Sequence, residues 1–534
     1  MKRTAGLWVA TLAAVALSWW WLGRPVQVPA LATDPGRIQC MSYAPFRGKD
    51  TPLDESTQVP PREIEEDLTK LAGLTDCVRT YSTENGLDQV PEIARRVGLK
   101  VIQGLWLGRD REKNRIRIDA AVALAKRYRD VITAIVVGNE VLLRGELSAA
   151  DIGAILREVK TATSMPVTYA DVWEFWLRNP DLAQAVDFIT IHILPYWEDF
   201  PISAEQAGAH VDSIRSRVAA SFPGKDILIG EVGWPSAGRM REGALPSPAN
   251  QALVLEEVMA RARAKNYRVN LIEAFDQPWK RKLEGTVGGY WGLLSSGGRE
   301  PKFTWGVPVS DHPWWGWQMV AGMALATIVL AGAFAGRPVK FGDLPTPVLA
   351  GITVDALAAG IAAPWAAANA ATESLGAGGW VRGLALIAVS AGVPVAAAMT
   401  MAGGIAIPPF ARILGRPAER PHGALAVAGG AILVGVTVLA LQTALGLVFD
   451  PRYRDLTFAP MTAAVIPYAV ASVVGVRGRS RLGRAELVSA VTLAASAVYI
   501  ALNEGFENWQ ALWLAAMLVV LAVTLFRLRD VQST

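Results

Sequence analysis

The 534-residue sequence is poor in the side chains that build metal and disulfide frameworks: it has two cysteines, Cys40 and Cys77, and four histidines. A zinc-type Cys/His cluster is therefore absent, and a disulfide-rich scaffold is excluded. There is no glycine-rich dinucleotide fingerprint and no P-loop, so the two common backbone cradles for phosphate are missing. Charge of one sign is not in excess either. Against 52 Lys and Arg stand 48 Asp and Glu, a net charge of +4, and the basic residues are dispersed rather than gathered in a stripe. Nucleic acid is not an expected partner. Apolar residues are what the chain has in quantity: 52% of it is hydrophobic and 19 residues are Trp. The length exceeds one ordinary domain.

Two short stretches carry chemistry. Ile229-Gly-Glu231-Val-Gly233-Trp234-Pro235-Ser236 follows a run of buried-strand character, which delivers a carboxylate before Gly233 and Pro235 turn the chain. Trp234 adds a flat apolar face of the kind on which a sugar ring stacks. Upstream, Ala134-Ile-Val-Val-Gly138-Asn139-Glu140 is a second strand-length apolar run that ends in a carboxylate, here with an amide directly before it. One strand-end Glu is more often a loop cap than a catalyst. Two of them fit the needs of glycoside hydrolysis, in which paired carboxyl groups face each other across the scissile bond.

Short apolar runs alternate with helix-period segments between Ile38 and about Trp305. They predict eight strands, at Ile38–Tyr43, Asp76–Tyr81, Lys100–Leu105, Ile132–Asn139, Val167–Asp171, Phe188–His192, Ile227–Glu231 and Asn270–Phe275. Helices such as Pro61–Leu74, Ile118–Tyr128 and Asn250–Lys265 lie between them. The predicted fold is an α/β (β/α)8 TIM barrel over residues 31–312. In that count Glu140 follows strand four and Glu231 ends strand seven. Cys40 and Cys77 fall on neighbouring strands, where a disulfide and two buried free thiols are both open readings.

On these motifs the barrel resembles glycoside hydrolase family 17, the β-1,3-glucanase family of the retaining (β/α)8 clan. The resemblance implies that Glu140 is the acid/base and Glu231 the nucleophile, with no metal and no cofactor. It also raises the standing of residues that alone would read as structural. Arg79 and Tyr81 become candidates to orient the nucleophile, and Tyr196 to hydrogen-bond it or to stack at the cleavage point. Asn139 and Trp197 join the cleft, whereas His192 reads equally as a cleft or a core residue. Trp173, Trp176, Trp234, Trp279 and Trp291 are stacking candidates, some of which must be packing. Strand eight offers Glu273, Asp276, Gln277, Trp279 and Lys280, with Glu284 beyond. Plant-type members of the family carry Glu, Lys and Glu here; Lys280 and Glu284 match, while Gln277 replaces the first acid.

The remainder is membrane-like. A basic start, Lys2 and Arg3, precedes an apolar run from Ala5 to Leu22, read as an uncleaved anchor within residues 1–30 with Trp19, Trp20 and Trp21 at the outer interface. An Ala30-Leu-Ala32 cleavage candidate lies too far from that run. Residues 313–534 form an all-α polytopic membrane domain of about seven spans: Trp317–Ala335, Thr346–Ala368, Val381–Ile405, Ala424–Val448, Phe458–Val476, Leu487–Leu502 and Trp509–Phe526. The sixth is short enough to read also as a re-entrant helix. Asp355 is the ionisable residue deepest in a span.

Arginine and lysine fill alternate gaps: Arg337 and Lys340; Arg412, Arg416 and Arg420; Arg477, Arg479, Arg481 and Arg484; Arg527 and Arg529. Such gaps belong on the cytoplasmic side. The expectation is a multi-pass protein of the bacterial inner membrane with its barrel in the periplasm. This layout resembles the membrane-bound β-(1→6)-glucan synthases of rhizobia. It implies a transglycosylase that takes a β-1,3-glucan donor and forms β-1,6 linkages on a sugar acceptor, beside a membrane glucan synthase as partner. A membrane-anchored β-1,3-glucan hydrolase and a glucan-binding scaffold or conduit are the alternatives.

Overall fold

The computed structural model describes residues 2–31, 37–334, 344–415, 423–474 and 483–527. The chain divides into two units, Val26–Val309 and Met1–Pro25 with Ser310–Thr534. The first is a closed barrel of eight parallel strands in chain order. The strands are β1 Cys40–Ser42, β2 Cys77–Arg79, β3 Lys100–Leu105, β4 Ile132–Asn139, β5 Val167–Val172, β6 Ile189–His192, β7 Ile227–Val232 and β8 Arg268–Leu271. β8 returns to pair with β1, so no strand edge is left open.

Local sequence explains the outer helices. In α2 (Pro61–Ala72), the buried Ile64, Leu68 and Leu71 recur at helical spacing, and Pro61 occupies the first turn, where no N–H is needed. α3 is Val90–Val97, and α4 (Arg111–Arg127) starts earlier than its apolar period suggests. The reason is Asp110, whose side chain accepts from the Glu112 and Lys113 N–H groups. The ring continues with α5 (Ala149–Thr163), α6 (Trp173–Arg178), α7 (Ala204–Ser221) and α8 (Pro248–Ala264), and then a short α9 (Arg281–Gly288). β8 stops at Leu271, four residues before the predicted end. Beyond it the chain leaves the ladder and pairs with a later loop: Glu273 N–H donates to Trp291 O, and Leu294 N–H to Ala274 O. Cys40 and Cys77 form a disulfide between β1 and β2, with Cα atoms 4.4 Å apart. The free-thiol reading is thereby removed.

The second unit is helical. Its elements are α1 (Lys2–Leu22), α10 (Trp315–Gly332), α11 (Thr346–Glu373), α12 (Gly376–Gly403), α13 (Phe410–Leu414), α14 (Ala424–Phe449), α15 (Phe458–Val474), α16 (Arg484–Glu504) and α17 (Trp509–Arg527). Among the described residues six of these, α10, α11, α12, α14, α16 and α17, are long and apolar enough to cross a membrane. Gly6–Leu22 and Phe458–Val474 are shorter apolar helices. The stretch Leu487–Leu502 sits within the 21-residue α16, so its re-entrant reading gives way to a full-length helix. Trp19 also departs from expectation. It is fully buried, and its indole N–H donates to Gly360 O at 3.0 Å, the carbonyl whose helical partner Pro364 removes. Trp20 and Trp21 remain exposed. Arg337, Lys340, Arg416, Arg420, Arg477, Arg479, Arg481 and Arg529, and Ala32 of the cleavage candidate, lie outside the described residues.

Candidate active site

Parallel strands deliver their last residues to one mouth of a barrel, and six polar groups meet there. Arg79 closes β2, Asn139 closes β4, His192 closes β6, and Glu231 is the penultimate residue of β7. Tyr81 and Glu140 follow directly on β2 and β4. Register brings His192 opposite Glu231 across the β6–β7 pair. Gly138 and Glu140 both adopt positive φ, 86° and 52°, which turns the chain sharply and carries Glu140 over the mouth. Gly230 leaves room for Arg79: a Cβ there would stand 3.3 Å from Nη1 and 2.3 Å from Thr190.

Arg79 is fully buried, and a buried cation needs partners. Its Nη1 donates to Gly230 O at 2.6 Å and to Glu231 Oε1 at 3.2 Å, and Nη2 donates to Asn139 Oδ1 at 2.6 Å. Tyr81 donates its hydroxyl to Glu231 Oε1 at 2.9 Å. Burial and the Glu231 charge push the Tyr81 phenol well above its ordinary range, so it stays a donor. The imidazole of His192 lies between the two acids, with Nδ1 2.8 Å from Glu140 Oε1 and Nε2 3.5 Å from Glu231 Oε1. Burial lifts the Glu140 carboxyl, but the bond to His192 and the charges of His192, Arg144 and Arg79 together hold it below the usual range.

Glu140, His192 and Glu231 each present an atom within 4.8 Å of the others. Facing carboxylates whose nearest oxygens lie within 4.8 Å are compatible with the retaining glycosidases, whose pair stands about 5–5.5 Å apart. The same trio could hold a cation by distance alone. The Arg79 guanidinium already occupies the charge beside Glu231, so chemistry favours the sugar-cleaving reading of the cluster.

Strand eight contributes differently from its sequence pattern. Glu273 is buried and pairs with Lys280 at 2.9 Å. Burial pushes the Glu273 carboxyl up to about 7, despite the Lys280 charge. Glu284 is also raised by burial, with Lys280 opposing and the negative charges of Glu140 and Glu231 adding to it. Glu273, four residues before Gln277, is thus the acid that pairs with Lys280. Gln277 is buried and donates to Ala44 O and Phe275 O, while accepting from Trp279.

Several predicted residues stand elsewhere. Tyr196 is fully buried and donates to Arg239 O at 2.8 Å, so Tyr81 is the phenol on Glu231. Trp234, the expected sugar platform, is fully buried with its N–H on Leu245 O. Trp176 is core and donates to Thr190 O, and Trp173 is 8% exposed. Asp276 is buried in an ion pair with Lys302 at 2.8 Å and accepts from Gly292 N–H, a loop clamp. Half-buried Trp197 stacks on Trp291 with centroids 6.4 Å apart and planes 14° from parallel. Trp279 is half-buried and meets Phe46 edge-on.

Two contributors carry no sequence signal. The Ser42 hydroxyl lies 2.8 Å from the Tyr81 oxygen and can donate to it while Tyr81 donates to Glu231, and Asn270 donates to Ser42 Oγ and to Gly230 O. Both are ordinary inward-facing strand residues, without a motif around them.

Residues 40–292 match the BtgE/BtgC glycoside hydrolase domain. Among curated relatives, a probable beta-glucosidase btgE of Neosartorya fischeri is 28% identical over 269 residues, covering 48% of this chain and 46% of that protein. A probable family 17 glucosidase, SCW10 of Saccharomyces cerevisiae, is 27% identical over 48% of this chain and 64% of its own length. The chain thus spans about half the length of the first of these and somewhat more of the second. Among solved structures, a glycoside hydrolase family 17 beta-1,3-glucanosyltransferase from Rhizomucor miehei is 24% identical with a TM-score of 0.44, over 50% of this chain and 95% of that one.

Proposed function

We propose that the protein, whose residues 40–292 match the BtgE/BtgC glycoside hydrolase domain, is a family 17 retaining β-1,3-glucan transglycosylase that forms β-1,6 linkages at a bacterial inner membrane. The observation that carries the chemistry is the pair of carboxylates within 4.8 Å, one gripped by Arg79 and Tyr81 and the other by His192. Glu231 is aimed by two donors, Arg79 Nη1 and the Tyr81 hydroxyl, as a nucleophile requires. It attacks the anomeric carbon and forms a glycosyl ester, while the leaving oxygen takes a proton from Glu140. In the second step an acceptor hydroxyl attacks that carbon, gives its proton to Glu140 and releases Glu231.

A carboxyl held low is a poor general acid by itself. His192 supplies the remedy in this reading. A proton on Nδ1 is one hydrogen bond from Glu140, so the Glu140–His192 pair is the proton store.

Transfer is favoured over hydrolysis by the setting. The apolar helices would keep the barrel at a bilayer, beside a synthase and its growing chain, and raise the local acceptor concentration. An acceptor sugar held against the ester reacts as if intramolecularly and outcompetes water. The buried seat of Trp19 supports α1 as a standing part of the helical unit. The Cys40–Cys77 disulfide supports an oxidising compartment, and with the alternating arginine gaps it favours the periplasm for the barrel.

The test is linkage analysis of products from purified full-length protein and β-1,3-gluco-oligosaccharides. Longer or branched products with new 1,6 bonds are expected. Only shorter oligosaccharides and glucose, even at high substrate concentration, would leave a membrane-anchored glucanase. No turnover of any β-glucan would leave the scaffold reading.

A further inference from the structure

The helical unit holds an acid that the barrel's chemistry does not use. Asp355 lies on α11 nine residues beyond Thr346, roughly 14 Å along the helix axis, and it is 0% exposed. One turn earlier, a Cβ on Gly351 would stand 2.8 Å from Val470 of α15 and 3.3 Å from Met401 of α12, so those helices close this face of α11. Ile352, Ala356, Ala359, Ala398, Met401 and Ala471 belong to one buried apolar cluster at the same junction. Among the described residues, neither Asp355 carboxylate oxygen has a hydrogen-bond partner.

Counter-charges are as scarce as donors. α10 has no ionisable side chain, and the tyrosine of α15, Tyr468, donates its hydroxyl to Gly429 O. On α12 the basic residue is Arg382, which donates to Thr443. It stands 19 residues before Met401, about 28 Å along the helix. On α1 the charged residues are Lys2 and Arg3, in its first turn. An ionised carboxylate so enclosed would forfeit its hydration with nothing to replace it, a cost that a neutral acid avoids.

We propose that Asp355 is a reversible proton-binding site of the helical unit, neutral at rest and losing its proton to water when the surrounding helices part. The three helices that meet there each carry an internal proline, Pro364, Pro394 and Pro467. Each proline removes one backbone hydrogen bond, and such interruptions are where packed helices bend. The helical unit therefore combines a proton-carrying acid with weakened points in the helices around it, the parts a proton-coupled movement requires. The inference rests on the bilayer reading of this unit and is independent of the barrel's reaction.

The experiment uses full-length protein in phospholipid vesicles and dicyclohexylcarbodiimide, an apolar reagent that modifies protonated carboxyls in apolar surroundings. Mass spectrometry should find the adduct on the peptide that contains Asp355 at neutral pH. Labelling should fall as the pH is raised and return when it is lowered. It should drop to background in Asp355→Asn, a variant expected to keep or gain thermal stability. Arg337, Lys340, Arg477, Arg479 and Arg481 flank this end of the bundle in sequence, and an ion pair to one of them is the rival account. In that case wild type resists the reagent across pH 5–8 and Asp355→Asn loses stability. Either result overturns the proposal. Failure of the bilayer reading itself would show separately, as recovery of the protein in the soluble fraction without detergent.

Discussion

Tyr81 donates its hydroxyl to Glu231 at 2.9 Å while resting on Ser42, and so it steers the carboxylate without carrying charge. Removing that hydroxyl in Tyr81→Phe leaves the ring and takes one bond from an anion, worth about 1.5–3 kcal/mol. The expected result is a fall in kcat of roughly 10- to 100-fold with KM little changed. Steady-state kinetics on β-1,3-gluco-oligosaccharides decides it, and an equal rise in KM would make Tyr81 a binding residue instead.

The two carboxylates should behave differently. Glu231→Gln is expected to abolish turnover. Glu140→Ala should lose about 10²- to 10⁴-fold, yet recover part of its rate when azide is added, since a small anion needs no base to attack the glycosyl ester. Azide rescue of the Glu231 variant and not of the Glu140 variant would reverse the assigned roles.

His192 is predicted to act through Glu140, and leaving-group dependence separates this from a structural role. His192→Asn should slow cleavage of a natural glucan, whose alkoxide must be protonated, far more than cleavage of an activated aryl glucoside. Equal losses on both substrates would point to misfolding or a misplaced nucleophile.

Legibility in the sequence followed the physics of each residue. Glu140 and Glu231 were readable because a strand-end carboxylate after an apolar run is a local pattern, and barrel strands aim such ends at one mouth. The eight strands were readable for the same reason, although β8 was drawn too long. The ladder there is broken by pairing with a loop some twenty residues later, which no local period records. Trp234 and Tyr196 looked like cleft aromatics but turn inward, because direction at a loop is fixed by distant partners, Leu245 O and Arg239 O. Ser42, Asn270 and the Glu273–Lys280 pairing depend on strand register, and register is tertiary.

The Glu273 carboxyl makes a prediction about pH. Its folded value of about 7 exceeds its ordinary 4.5, so the folded barrel holds a proton that the unfolded chain has released between those values. The stability this confers is full below pH 4.5 and is lost as the pH rises through 7. Glu273→Gln lacks that loss. Relative to wild type it should gain up to about 3 kcal/mol between pH 4.5 and 8, read as the barrel's unfolding midpoint in detergent-solubilised full-length protein. A variant that instead loses ground at pH 8 would show that the Lys280 pair outweighs burial.

Topology is the last expectation. A reporter fused after Gly306 should be active only when exported, and one at Ser533 only in the cytoplasm. A cytoplasmic signal at Gly306 would reverse the barrel's side.

The barrel begins and ends at one point. Val26 and Val309 exchange backbone hydrogen bonds of 2.8 and 2.9 Å, while on the helical side Ser310 Oγ donates to Gly23 O. Residues 26–309 are in effect a cassette spliced into the turn between α1 and α10. A short linker from Pro25 to Ser310 could close that turn once the cassette is excised. The helical unit would then be a self-contained module, able to be expressed alone and to accept a different domain at the same seam.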